Sequence, residues 1–223
     1  EANLRARCWE LLVVHGDREE LELLVSDDEL IGKDAMMLDM RASIQELGVL
    51  PSTREEILWI RELRKPRYQA YWQNIAAALA ELSDDRRQDL KPRHLAVAVA
   101  AHRHRPELLS MTAKQLDEML RGEIDDNGRR YKADFSGWSI DVSERLNDVR
   151  DKLVWGDQVA MLLACEALRN KAFVAHIFDY ADRDMIDRTT EFGGIVELDT
   201  QGRFELVEYL PRARVADDRY LAS

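Results

Sequence analysis

Apolar residues recur at helical spacing along this chain until about Asp182, and only after Thr189 does their period fall to two. That switch restricts the fold. Recurrence at i, i+3, i+4 and i+7 marks amphipathic helices, and strict alternation marks strands. The expected fold is therefore mainly α: a helical array or bundle of antiparallel helix pairs over 1–182. A small C-terminal β-hairpin extension should follow over 183–223. It reads as the opening of an α/β domain that this stretch does not complete.

The helices are delimited by caps and breakers. Leu4, Cys8, Leu11 and Leu12 share the apolar face of a first helix, which His15-Gly16-Asp17 ends. Short helices are expected at 19–25 and from Ser26-Asp27-Asp28. A longer one covers 35–47 and is stopped by Gly48 and Pro51. Ser52-Thr53-Arg54-Glu55 reads as a capping box, with Ile57, Leu58, Ile60 and Leu63 inward. Helices over 68–82, 93–104 and 112–121 follow, the last capped by Thr112. Asn127-Gly128 between polar flanks is a turn signal and suits a second small hairpin near 123–134. Ser139 or Asp141 should then open a helical tract through Trp155. Asp157 should cap a helix over 159–169, with Asn170-Lys171 as the turn into a partner over 172–182.

The residues of this last pair carry a resemblance. Ala160, Leu163, Ala164, Ala167 and Leu168 alternate small and large side chains at helix-packing spacing, and Asn170 makes a short turn. Residues 157–180 resemble a HEAT-type helical repeat. Helix pairs about 40 residues apart upstream, at 52–82 and 92–121, are similar to it in texture. The resemblance implies a helical surface that binds another protein.

Composition narrows the partners. The net charge is −11, with 46% apolar and 34% charged residues. That is a globular composition, and its charge repels phosphate backbones and anionic membranes. Nucleic acid and membrane are accordingly not expected. No apolar run approaches the roughly 20 residues of a membrane span. Cys8 and Cys165 belong to no Cys/His cluster of zinc-site spacing, and two distant cysteines suit a reducing cytoplasm. The chain begins at Glu1 rather than Met, as a processed, trimmed or excised chain would.

Three segments carry residues of ligand-binding type. Glu123, Asp125, Asn127, Gly128 and Asp134 resemble an EF-hand calcium loop, with oxygen ligands at loop positions 1, 3, 5 and 12 and glycine at 6. The departures are Glu at position 1, the shorter Asp at 12, Arg130 at the apolar position 8, and nearby Arg129 and Lys132. A plain turn is the preferred reading, and calcium at 123–134 stays open. The segment Ser83–Arg105 carries Arg86, Arg87, Lys91, Arg93, Arg103 and Arg105 against three aspartates. With the helix and hairpin after it, this is the order of a winged-helix DNA reader. Its recognition helix would balance two bases with two carboxylates, whereas phosphate contacts need positive charge. His102 and His104, at i and i+2 near a helix end, point apart and suit the helix dipole rather than one metal. His15 also lies at a helix end, and His176 reads as a packing histidine.

The hairpin carries a second resemblance. Thr190-Glu191-Phe192-Gly193-Gly194-Ile195-Val196, with a turn at Thr200–Arg203 and a preceding helix over 173–186, is similar to the opening of a JAMM (MPN, JAB-like) metalloprotease domain. The resemblance covers about 172–223. It implies that Glu191 would be the general base acting on a zinc-bound water, in a zinc-dependent isopeptidase or hydrolase. The family's His-x-His, Ser and Asp do not follow, so zinc would be held only if such a domain were completed elsewhere. No cofactor is expected of these residues by themselves.

The leading expectation is a non-catalytic helical interaction or scaffold module with a protein partner. The start of a JAMM-like hydrolase and a winged-helix regulator are the alternatives.

Overall fold

The computed structural model describes residues 2–124, 128–135, 138–187, 190–209 and 212–213. The fold is mainly helical. Its helices are α1 (Ala2–His15), α2 (Arg18–Ser26), α3 (Asp28–Ile31), α4 (Ala35–Leu47), α5 (Arg54–Leu63), α6 (Gln69–Ala80), α7 (Asp84–Gln88), α8 (Leu95–His104), α9 (Glu107–Ser110) and α10 (Ala113–Glu123). A hairpin of β1 (Arg130–Phe135) and β2 (Trp138–Ser143) comes next. Then follow α11 (Leu146–Val149), α12 (Trp155–Arg169) and α13 (Lys171–Ile186). The chain continues as β3 (Thr190–Glu191), β4 (Gly194–Leu198), β5 (Phe204–Glu208) and β6 (Arg212–Ala213).

Caps account for several of these boundaries. Thr53 receives the backbone N–H of Glu56, whose carboxylate reaches back to the N–H of Thr53, one residue along from the predicted Ser52 box. Thr112 and Gln115 repeat the motif at α10. The Asn170 carboxamide accepts the N–H groups of Ala172 and Phe173 and so starts α13 directly after α12. Each cap satisfies donors that the first helical turn leaves free.

The helices pack in sequence. α1 lies on α5, α2 on α4, α4 on α5 and α6, α6 on α8, and α8 on α12. α12 also packs on α10 and α13, and α13 carries β5. Trp9, Met40, Leu47, Ile60, Ile75, Leu79, Leu95, Leu116 and Leu120 are fully enclosed along this path and form one continuous core.

Several expectations are corrected. Leu58, read as inward on α5, is 48% exposed, while Ile57, Ile60 and Leu63 are buried. The first helix buries Ala6 and Trp9, while Leu4 and Leu11 are 68% and 60% exposed and Cys8 is exposed too. The second hairpin lies at 130–143, not 123–134. Its register runs from Arg130 opposite Ser143 to Phe135 opposite Trp138, so the connection is residues 136–137 rather than Asn127-Gly128. Residues 138–143 are therefore strand and open no helix. In Trp138-Ser-Ile-Asp-Val-Ser the alternation of period two prevails over helix-start signals at Ser139 and Asp141. Finally, α12 begins at Trp155, and Asp157 is its third residue rather than its cap.

The C-terminal extension forms as two antiparallel pairs. β4 pairs with β5 through a connection at 199–203, and β3 pairs with β6. Asp199 organises the turn by accepting the N–H groups of Gln201 and Arg203. Gly202 has φ +75°, a left-handed conformation that favours glycine. A Cβ there would also stand 2.9 Å from His104 Nδ1, so the bare backbone lets the turn sit against the end of α8. In this register Glu197 faces Glu205 directly across the strands.

Candidate functional site

The short side chains of α8 and α12 leave a hollow between them. Ala96 and Ala100 on α8 lie opposite Ala160, Ala164 and Ala167 on α12. Alanines at i and i+4 on facing helices are too short to fill the space that longer residues close elsewhere. The first turns of α13, through Phe173 and Ile177, form one wall. The hairpin, through Val196, Leu198 and Phe204, forms the other, with exposed Glu197 at its edge. The result is an open apolar cleft of about 370 Å³. The residues read from sequence as repeat-type packing residues are its floor. Of these, Leu163 and Ala167 are buried, while Ala164 is exposed and Leu168 is 60% exposed, so among the described residues only the last two lack a packing partner.

A polar annex of about 120 Å³ continues the cleft, lined by His104, Arg105, Glu166, Gln201 and Gly202. Arg105 and Glu166 close a bidentate ion pair across it, tying α8 to α12. Tyr71 of α6 stands near the same end. Burial raises its hydroxyl pKa, Glu197 adds to that, and Arg103 opposes it.

The hairpin wall is pinned to α13. Phe173 and Phe204 have ring centroids 6.5 Å apart, and Tyr180 meets Phe192 edge-on at 6.4 Å. The Tyr180 hydroxyl donates to the Gly193 carbonyl at 3.3 Å. Arg183 donates to Glu208 at 3.0 Å and His176 lies 2.9 Å from the same carboxylate. His176 is thus a half-exposed partner of Glu208 rather than a packing histidine. The Arg183 hydrogen bond, helped by His176, pulls the Glu208 carboxyl down to about 2. Unfolded, that group binds its proton near 4.5. A depressed carboxyl stabilises the fold above its unfolded pKa and loses this contribution as pH falls through its folded value. Acidification from pH 4.5 to 2 should therefore loosen the hairpin from α13. Amide protection factors in β5, corrected for the pH dependence of intrinsic exchange, should fall across that range, and Glu208→Gln should flatten the acid limb. An acid limb unchanged in Glu208→Gln would refute this account.

The other sequence candidates are dispersed. Of Glu191 the backbone is placed, in β3 opposite Arg212; its side chain lies outside what is described. Asp125, Asp126 and Asn127 of the calcium-like loop also lie outside the described residues. Glu123 pairs with Arg169, and Asp134 sits on strand β1 where an EF-hand would start its exit helix. His102 Nδ1 turns to Glu81 at 3.1 Å while His104 turns to Gly202, so the two do not converge. His15 closes α1. Much of the basic segment is engaged internally. Arg86 donates to the Leu109 carbonyl, Arg87 pairs with Asp84, Arg93 with Asp157, and Arg105 with Glu166. Cys8 and Cys165 are free thiols.

Among the described residues no three His, Cys, Asp or Glu side chains are grouped to hold a metal, and no helix is long and apolar enough to cross a membrane. No family model, curated protein or solved structure matches this chain.

The sequence reading missed the cleft. Its signal was present in the alanines at 96 and 100, which repeat the small-residue spacing already noted at 160, 164 and 167.

Proposed function

We propose that this chain is a non-catalytic helical interaction module, and that the cleft between α8, α12, α13 and the β4–β5 hairpin receives an apolar segment of a partner protein. One observation carries the reading: two helices present an alanine-lined floor, open to water at Ala96 and Ala164, at a place where helices normally bury larger neighbours. Binding grooves of a few hundred Å³ that are mostly apolar, with a few polar groups at the edge, are typical recognition sites. The acidic surface supports a protein partner over nucleic acid.

The experiment is a displayed-peptide selection on the wild-type chain, counter-selected on Ala164→Trp. Ala164 is exposed on its helix, so the indole enters the cleft without entering the core. Peptides recovered on wild type should lose at least ten-fold in affinity on Ala164→Trp, with the melting temperature held within a few degrees. Recovered peptides that bind both chains equally would end the proposal.

A second reading is that residues 172–223, with Glu191 before Gly193-Gly194 and a hairpin turning at 199–203, open a JAMM-like domain. It expects the full natural reading frame, loaded with zinc, to cleave an isopeptide-linked substrate. Glu191→Gln should abolish turnover and keep the metal. Absence of turnover in the zinc-loaded wild type would dismiss it.

A further inference from the structure

We infer that the β1–β2 hairpin joins two copies of this chain, with β1 pairing antiparallel to β1 of the second copy about a two-fold axis at Ala133. The inference does not depend on the cleft.

The hairpin is amphipathic and uncovered. Its register sets Arg130 opposite Ser143, Lys132 opposite Asp141 and Asp134 opposite Ser139, all on one face. The other face takes Tyr131 with Val142 and Ala133 with Ile140. Among its described side chains none is buried, and Tyr131 and Ile140 are 46% and 43% exposed. Two strands by themselves are only marginally stable in water, and further strands on an apolar face secure them.

The edge of β1 is open as well. The Glu144 N–H donates to the Arg129 carbonyl at 2.8 Å, so these two residues form a hydrogen-bonded pair of the ladder. Bonded and non-bonded pairs alternate along antiparallel strands. Tyr131 and Ala133 therefore bond toward β2, and Arg130, Lys132 and Asp134 turn their backbone N–H and C=O groups outward. Among the described residues no strand pairs with that side. An open edge of six residues is a template for another chain.

The residues along this edge select a second copy. An axis at Ala133 sets Lys132 of each copy opposite Asp134 of the other, and Tyr131 opposite Phe135. The outward backbone groups of Lys132 and Asp134 then meet as a bonded pair, and their opposite charges favour it. Centring the axis on Lys132 or on Asp134 instead would set like charges face to face, so the charges fix the register. A lysine in mid-edge ordinarily repels stray strands. Here an aspartate two residues along gives it one matching partner, which is the same strand reversed. β2 has no such device, because its outward residues Ser139, Asp141 and Ser143 carry a single charge. Repulsion between two chains of net charge −11 is also least here, since residues 128–145 hold four bases and three acids. The same patch serves both copies, as a two-fold interface requires. Pairing yields a four-stranded antiparallel sheet with the apolar face continuous across it.

Sedimentation velocity on the wild-type chain should show a monomer–dimer equilibrium with a Kd on the order of 10 μM. Lys132→Glu and Asp134→Lys should each weaken it at least ten-fold, because each sets like charges opposite across the axis. Mixed in equal amounts, the two variants should pair with each other about as tightly as the wild type pairs with itself. Opposite charges then meet again at both positions. Lys132→Glu also faces Asp141 within its own hairpin, and the mixture keeps that internal defect, so recovery separates pairing from folding. Circular dichroism melts check that each variant is folded. Ala133→Cys, made together with Cys8→Ser and Cys165→Ser, should oxidise to a covalent dimer. Its two Cα atoms would lie about 4.5 Å apart as a non-bonded pair, within disulfide range. A wild-type chain that stays monomeric at about 200 μM, a dimer indifferent to both charge variants, or a mixture that fails to reassociate would each overturn the inference.

Discussion

Replacing Trp9 with alanine should cost this protein about 3–5 kcal/mol, the range for removing a buried aromatic side chain. Trp9 is 1% exposed and is the largest side chain by which α1 enters the core. Its indole N–H donates to the Pro51 carbonyl at 2.7 Å, at the point where the chain leaves α4 for α5. The substitution therefore does two things. It opens a cavity under α1, and it leaves a buried carbonyl without its donor, which by itself costs about 1–3 kcal/mol. Trp9→Phe separates the two effects: most of the apolar volume returns and the hydrogen bond does not. Urea unfolding of the three proteins should rank wild type, Trp9→Phe and Trp9→Ala in descending stability. A Trp9→Ala midpoint within error of wild type would mean that α1 is not docked through this face.

The same helix explains where sequence reasoning stops. In α1 apolar side chains occur at Leu4, Ala6, Cys8, Trp9, Leu11, Leu12, Val13 and Val14, nearly all the way round. With so little contrast, periodicity identifies a helix but cannot choose its inward face. The choice falls to shape and hydrogen bonding, namely the fit of Ala6 and the reach of the indole to Pro51. By contrast, Thr112 with Gln115 and Asn170 before α13 were legible, because a cap is satisfied within a few residues of itself. The strand at Trp138–Ser143 was legible in principle, since it alternates strictly, but Ser139 and Asp141 also resemble helix starts. The cleft was legible only in part. Ala160, Ala164 and Ala167 announce packing, yet whether that packing is occupied depends on α8 and the hairpin. These lie some 60 residues before and 40 residues after, and no local pattern encodes their distance. Glu191 drew attention because a glutamate before paired glycines is conspicuous. Conspicuous spacing says nothing of which groups gather around it.

Gly156→Ala should also destabilise the fold, although it adds one carbon and removes nothing. A Cβ at this position would stand 2.4 Å from His94 Cγ and 2.7 Å from His94 Cβ. These atoms are the root of the histidine side chain and cannot swing aside. Nor can the ring leave. His94 is 2% exposed, its Nδ1 accepts the Lys91 N–H at 3.1 Å, and its Nε2 lies 3.0 Å from Asp157 Oδ1. With Nδ1 accepting, the proton sits on Nε2 and is donated to Asp157. Arg93 Nε is also 3.0 Å from Nε2, which then has no lone pair for it, so Arg93 contributes through Asp157 at 2.9 Å instead. Burial raises the Asp157 pKa, but the Arg93 and His94 hydrogen bonds outweigh it and hold the carboxyl below its ordinary value. The turn before α8 is thereby clasped to the first turn of α12, the two helices that floor the cleft. Overpacking such a contact costs about 1–3 kcal/mol, against at most about 1 kcal/mol gained from alanine's helix propensity. The net expectation is a loss of about 1–2 kcal/mol. His94→Ala removes the Cγ and Cδ2 clashes and leaves the Cβ, so it should rescue Gly156→Ala only in part. In a double-mutant cycle the two changes should couple by more than about 0.5 kcal/mol, the limit within which independent sites add. Additive losses in denaturant unfolding would refute the clasp. If it holds, Gly156→Ala should also weaken peptide binding in the cleft, because α8 and α12 could no longer keep their spacing.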